Sequence, residues 1–401
     1  MIEIKRMIKD PYMWFLYFIL LFSGGFYFFE FQTIIGIVIL SVFIFCLRSK
    51  PDSNLRSVQS SLIPIIVVSE ACALIFYGID LKLFVAHILM LFVAIQIVFV
   101  TPKDVFFKYF IFWIIVISVA SDIAYLLGLH DFSLFSKFPS FYNSNGRVGY
   151  FGFIFCASDF TLAGVQRNQG IFWEPGAFQC YIIMAYVSEI IYNSKPRTWV
   201  LILFLITLFT TMSTTGILAG VVLFFYSLYN GFIGYSKRLA VPLFFILLYF
   251  MYKTYTLLES TDLYYTLFVK TSQVADYRMG DDNESSSRVE SVIYPFLEGL
   301  KSPLWGIGSA GIATFKYKTC TPVTMFAVYG FFYLYIMLRG IYLLIKNNFN
   351  RLSHISIFVL FCVIWFSVST EAFEFNYVFF ALCLYGYKHF DNFRLNENNS
   401  Y

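Results

Sequence analysis

TWVLILFLITLFTTMSTTGILAGVVLFFYSLYN, residues 198–230, decides how often this chain crosses a bilayer. As one helix it would be about 50 Å long, against a hydrocarbon core of about 30 Å. Thr211-Met212-Ser213-Thr214-Thr215-Gly216 interrupts it with hydroxyls that compete for backbone hydrogen bonds and a glycine that weakens a helix. The stretch reads as two helices, 198–212 and 215–230, joined by a tight turn. That split fixes the parity of everything downstream.

The surrounding chain has the same character. It is 59% hydrophobic and 13% charged, about half the charge of a soluble domain. Its mean hydropathy of +0.72 excludes an ordinary water-soluble or nucleic-acid-binding protein. Apolar runs predict about twelve spans: 11–29, 31–47, 62–79, 83–100, 105–127, 175–192, 198–212, 215–230, 239–258, 321–345, 355–369 and 374–390. The first run faintly resembles a signal peptide, with Lys5, Arg6 and Lys9 before it and Ser23-Gly24-Gly25 after, but so many spans follow that it reads as the first membrane helix. The fold class is an all-α polytopic membrane protein, residues 1–401 forming one integral domain.

Basic residues test this topology, because Lys and Arg concentrate on the cytoplasmic side. With the N-terminus inside, the inner segments hold Lys5, Arg6, Lys9; Arg48, Lys50, Arg56; Lys103, Lys108; Lys195, Arg197; Lys237, Arg238; Arg339, Lys346, Arg351; and Lys388, Arg394. The short outer loops hold Lys82 alone. Both termini are therefore placed in the cytoplasm. Two outer segments, about 128–174 and 259–320, are long and charged, and long loops in a compact membrane protein are kept where they act.

The first long loop carries Arg147, Asp159, Arg167 and Glu174 among glycines and aromatics. The second carries Arg278, Asp281, Asp282, Glu284, Arg288, Glu290, Lys301, Lys316 and Lys318, and ends in SPLWGIGSAG, residues 302–311. Guanidinium groups bind phosphate oxygens as planar forks and stay charged at any relevant pH. Arginines from two loops are thus suited to clamp a pyrophosphate at headgroup level. Plainer readings stand beside this one. Arg167 would serve as an interfacial anchor, and Arg288 would orient an amphipathic helix. Lys316 and Lys318 read as a solvated face. Glu174, directly before Pro175, would place a favourable negative charge at a helix start. Gly306-x-Gly308 reads as a tight turn rather than a phosphate cradle, because no strand precedes it.

Of the polar residues inside spans, Glu70 and His87 flank one short loop at comparable depth and are expected to pair. Asp122 would face a polar cavity. Cys46, Cys72, Cys180, Cys362 and Cys383 read as small buried hydrophobes. Whether Cys156 and Cys320, in the outer loops, join to each other stays open.

Three elements in order carry a resemblance to the Wzy-type O-antigen polymerases and the related O-antigen ligases. They are Arg167-x-x-Gly170-x-x-x-Glu174-Pro175, the Ser213-Thr214-Thr215-Gly216 turn, and SSSRVESVIYPFLEGLKSPLWGIGSAG, residues 285–311. In the last, Arg288 precedes an amphipathic stretch and a Pro303-Leu304-x-Gly306-x-Gly308 turn. The resemblance covers most of residues 140–385. It implies a GT-C-like glycosyltransferase architecture in a bacterial inner membrane, with the active site facing the periplasm. The substrates implied are oligosaccharide repeat units linked to undecaprenyl pyrophosphate, joined without metal or cofactor, probable inversion being carried from the family alone. Arg167, Glu174 and Arg288 take the catalytic roles under it, and Arg147, Arg278 and Glu371 of TEAFEFN, residues 370–376, bind substrate or assist. Membrane lipids and a chain-length regulator and flippase of the same pathway are the implied partners; no nucleic acid is. The ligase branch carries a His-Asn pair after the late glycine turn. TPVTMFAVYGFF, residues 321–332, has none, and His87, His130, His354 and His389 lie elsewhere. That departure favours the polymerase over the ligase. The rival of another class is a lipid-linked oligosaccharide flippase.

Overall fold

The computed structural model describes residues 9–26, 53–78, 80–129, 140–142, 148–158, 161–162, 165–232, 287–312, 320–347, 352–373 and 376–388, with Met7, Phe135 and Lys137. Among these are α1 (Pro11–Gly24), α2 (Ser53–Phe76), α3 (Leu81–Val100), α4 (Lys103–Leu126), α5 (Pro175–Tyr192), α6 (Thr198–Thr210) and α7 (Thr214–Tyr229). They continue with α8 (Ser287–Gly299), α9 (Gly308–Ile312), α10 (Thr321–Lys346), α11 (His354–Val368) and α12 (Tyr377–Tyr385). The spans expected at 31–47 and 239–258 lie outside the described residues. Each of the other expected spans has its helix.

α3, α4 and α10 are long and apolar enough to cross a membrane, and α1, α6, α7, α11 and the Ser61–Ile75 part of α2 are shorter apolar helices. Their outward faces carry exposed Ile75, Leu126, Ile206, Ile355 and Phe358, as suits a surface facing lipid.

The 198–230 stretch breaks where its residues require. At the end of α6 the Thr211 hydroxyl turns back onto the Leu208 carbonyl, competing with the helical pattern. Met212 then takes a positive φ of 48°, and extended Ser213 starts α7.

α5 is the axis of the bundle. All its residues are buried, enclosed by α4, α6, α7 and α11. At one end of the bundle Trp173 N–H donates to the Gly24 carbonyl, Asn168 N–H to the Thr210 carbonyl, the Thr321 hydroxyl to the Glu371 carbonyl and Asn376 Nδ2 to the Ser23 carbonyl. At the other, Tyr109 donates to Asp10, Tyr385 to the Thr101 carbonyl and Lys388 to the Val98 carbonyl. The Glu189 carboxylate there accepts from Arg197 through its backbone N–H and guanidinium, with Nη2 2.7 Å from Oε2. α5, α6 and α7, consecutive in the chain, therefore alternate in direction, with the α6–α7 turn at the first end and the Arg197 turn at the other.

Two features depart from the sequence reading. The first long loop is not all coil. β1 (Phe141–Tyr142), β2 (Val148–Phe151) and β3 (Cys156–Ser158) form an antiparallel sheet, and β4 (Thr161–Leu162) pairs with β5 (Val165–Gln166). Gly149 in β2 allows the strand to lie on the Phe26 ring, which a Cβ would approach to 2.4 Å. Second, α10 is broken at Gly330, which has φ 74°. The 303–308 turn docks into the break. Phe331 N–H donates to the Pro303 carbonyl and Ile307 N–H to the Ala327 carbonyl, both at 2.8 Å. Gly306 and Gly330, both with positive φ, make the close approach: a Cβ on either would sit 2.2 Å from a carbonyl oxygen of the other segment. The turn reading of Gly306-x-Gly308 is the one observed.

Candidate functional site

The 167–174 loop leads directly into the buried N-terminus of α5, and three other segments close around it. Pro175 occupies the first helical position, where its missing N–H costs nothing. Glu174 precedes it in extended conformation without a side-chain cap bond, and its Oε1 accepts from the Trp173 indole N–H at 2.9 Å. The helix-start position read from the sequence is thus correct, while the side chain itself is turned to Trp173.

Glu371, from the turn between α11 and α12, is buried with its carboxylate against Gly176. Its backbone carbonyl accepts from the Thr321 hydroxyl at 2.6 Å, and that hydroxyl accepts from Phe373 N–H. The start of α10 is thereby tied to the same turn. Cys180, one turn along α5, lies within electrostatic range of both Glu371 and Glu174.

Arg167 is half-buried and its Nε donates to the Thr211 carbonyl at 3.1 Å, in the turn between α6 and α7. Gly216 of that turn packs on Gln179, whose Oε1 a Cβ would meet at 2.5 Å. Gln179 Nε2 reaches Thr370 Oγ1 at 3.4 Å, which returns the ring to Glu371. Arg167, Glu174 and Glu371 are therefore carried by segments that converge on one end of α5. In the sequence Gln179 reads as one polar residue in an apolar run, and only the fold brings Gly216 opposite it.

Behind the ring, the Asn168 side chain and Asp122 of α4 form a buried node with Thr207 and Thr210 of α6. Asp122 thus faces a knot of donors instead of a cavity. Arg147 and Arg278 lie outside the described residues, and Arg288 is known only as part of the first turn of α8, its side chain also lying outside. The clamp that would unite Arg167 with Arg288 rests on the sequence.

Glu70 and His87 do not pair with each other. Glu70 accepts from the Ser309 N–H at 2.8 Å and the Ser309 hydroxyl at 3.1 Å, while His87 Nδ1 meets the Tyr329 hydroxyl. Both partners come from the late glycine segment and the helix it docks on, so each residue ties its own helix to that distant element. On α8, Glu298 binds Lys301 and the Tyr77 hydroxyl. Those bonds from Glu298 hold the Lys301 ammonium above the usual lysine range. Cys156 and Cys320 are not joined to each other. Among the described residues no three His, Cys, Asp or Glu side chains gather as a metal would require.

No protein-family model matches the chain, and no curated protein matches it either.

Proposed function

We propose that the chain is a membrane glycosyltransferase that joins undecaprenyl-pyrophosphate-linked oligosaccharide repeat units into O-antigen or a related surface polysaccharide. The observation that carries this reading is the ring at the N-terminus of α5, where the loop bearing Arg167 and Glu174 meets Glu371 from the turn between α11 and α12 at one buried helix end. In the reaction, the bond between the donor's anomeric carbon and the pyrophosphate oxygen breaks. A bond forms from that carbon to an acceptor hydroxyl of the incoming unit. The hydroxyl proton passes to a carboxylate, Glu174 or Glu371. Arg167, with Arg288, takes the negative charge of the departing undecaprenyl pyrophosphate. The glycosyl–pyrophosphate bond supplies the driving force. A single displacement inverts the anomeric centre. In this reading the chain spans the inner membrane about twelve times with both termini cytoplasmic, and the ring faces the periplasm.

One observation favours a transporter as the second reading: α10 is broken at Gly330 beside buried Glu70 and His87, and broken helices with buried ionisable groups are a transporter's habit. The test is the glycan of a strain whose only copy carries Arg167→Ala. The polymerase reading expects surface glycan one repeat long and lipid-linked single repeats on the outer leaflet. Accumulation on the inner leaflet would mark a flippase, and long polymer that never reaches its final acceptor would mark a ligase.

A further inference from the structure

Arg167 is held in place from behind. Asp122 lies within α4, buried, where an ionisable group is kept only with partners or for function. Its Oδ1 accepts from Asn168 Nδ2 at 3.0 Å and from the Thr210 hydroxyl at 2.9 Å, and its Oδ2 accepts from the Thr207 hydroxyl at 2.7 Å. Asn168 is the neighbour of Arg167, and its remaining groups are also committed. Its backbone N–H donates to the Thr210 carbonyl at 3.0 Å, and its Oδ1 accepts from Gly170 N–H at 2.9 Å. Thr210 in turn precedes Thr211, whose carbonyl receives Arg167 Nε. One carboxylate therefore fastens the residue after Arg167 and the residue before the arginine's own acceptor.

We infer that Asp122 is a positioning residue that presets the Arg167 guanidinium to receive the pyrophosphate of the lipid-linked donor. The inference rests on the glycosyl-transfer reading of the ring. Two helices alone would be joined by the Thr207 bond. The bond to Asn168 acts on the arginine loop itself, and Thr210 adds to it because its carbonyl also accepts the Asn168 N–H. Presetting matters because a group that must be ordered on binding spends affinity on that ordering, and a 1 Å misplacement costs about 100-fold in a positioned reaction.

The test is undecaprenyl pyrophosphate binding to the purified full-length chain in lipid nanodiscs, with thermal stability measured on the same samples. Arg167→Ala should weaken binding by about 10- to 100-fold, the loss of a charge-assisted hydrogen bond. Asp122→Ala should weaken it comparably, and the double variant no further than Arg167→Ala alone. Thr210→Val keeps shape and removes one donor, so it repeats the effect in smaller measure should Asp122→Ala fail to fold. Asp122→Asn keeps an acceptor for Asn168 and should bind within a few-fold of the unaltered chain. A double variant whose loss is the product of the two single losses overturns the inference, as does wild-type binding by Asp122→Ala or by Thr210→Val. In those cases Arg167→Ala still binds weakly and the reading of the ring stands. Wild-type binding by Arg167→Ala overturns that reading, and the inference with it.

Discussion

The Glu371 carboxylate rests on the Cα of Gly176, where a methyl group would lie 1.7 Å from Oε1 and 2.5 Å from Cδ. Gly176 belongs to the Glu-Pro-Gly turn read from the sequence as a helix start. Its second role is to admit a carboxylate from a segment almost two hundred residues away.

Gly176→Ala is expected to expel that carboxylate. The overpacking costs about 1–3 kcal/mol, and on the proposed glycosyl-transfer function surface glycan falls to short chains while protein remains in the membrane. Glycan length on a gel and protein abundance on a blot read the two effects separately. Full-length polymer from Gly176→Ala would show that the seat of Glu371 is dispensable.

Gly330 and Gly306 are two halves of one contact, each with φ above 70° and each facing the other segment's carbonyl. Gly330→Ala should cost about 1–3 kcal/mol from the backbone strain alone, with more from the clash. Gly306→Ala should look the same. Because both undock the same turn, the melting temperature of the double variant should lie close to that of either single one. Additive losses would mean that the two glycines act separately.

Asn376 serves three elements. Its Oδ1 accepts from Val378 and Phe379 N–H at the start of α12, and its Nδ2 donates to the Ser23 carbonyl and the Tyr181 hydroxyl. Asn376→Asp keeps the cap but turns an acceptor toward two oxygens. It is expected to lower stability by about 1–3 kcal/mol, at least as much as the loss of a cap in Asn376→Ala, about 1 kcal/mol. Thermal denaturation in detergent ranks them; a harmless Asn376→Asp would mean that Tyr181 turns to donate.

At the opposite end, Glu189 is fully buried and Arg197 half-exposed. Breaking a buried pair from one side costs about 3–5 kcal/mol, and exposure of the arginine places this pair at the lower end. Arg197→Ala should therefore deplete the protein, whereas Arg197→Ala with Glu189→Leu should restore much of it. Quantitative blotting of membranes decides, and equal depletion in both variants would contradict a cost located in the stranded carboxylate.

The helices were legible where local chemistry sets them. The threonine-rich break in 198–230 and Pro175 after Glu174 mark boundaries that the structure keeps. Pairing across the bundle was not legible. Glu70 and His87 face each other in a hydropathy plot, yet each bonds a residue some 240 positions downstream. Nothing in a single sequence links Ser309 to Glu70, because the contact depends on how the Gly306 turn fits the Gly330 break. Of the site, Arg167, Glu174 and Glu371 were found as charges beside apolar runs. Gln179, Asn168 and Asp122 were missed or left without a role because a polar residue in a span says nothing of its partners.

The complete burial of α5 bears on how the protein is made. Synthesis delivers this helix, with Gln179 near its start, well before α11 exists to cover its remaining flank. Until α11 and the turn after it emerge, the Thr370 partner of Gln179 and the Ser367 carbonyl that Cys180 meets are missing from that flank. A helix from late in the sequence thus completes a core begun in its middle.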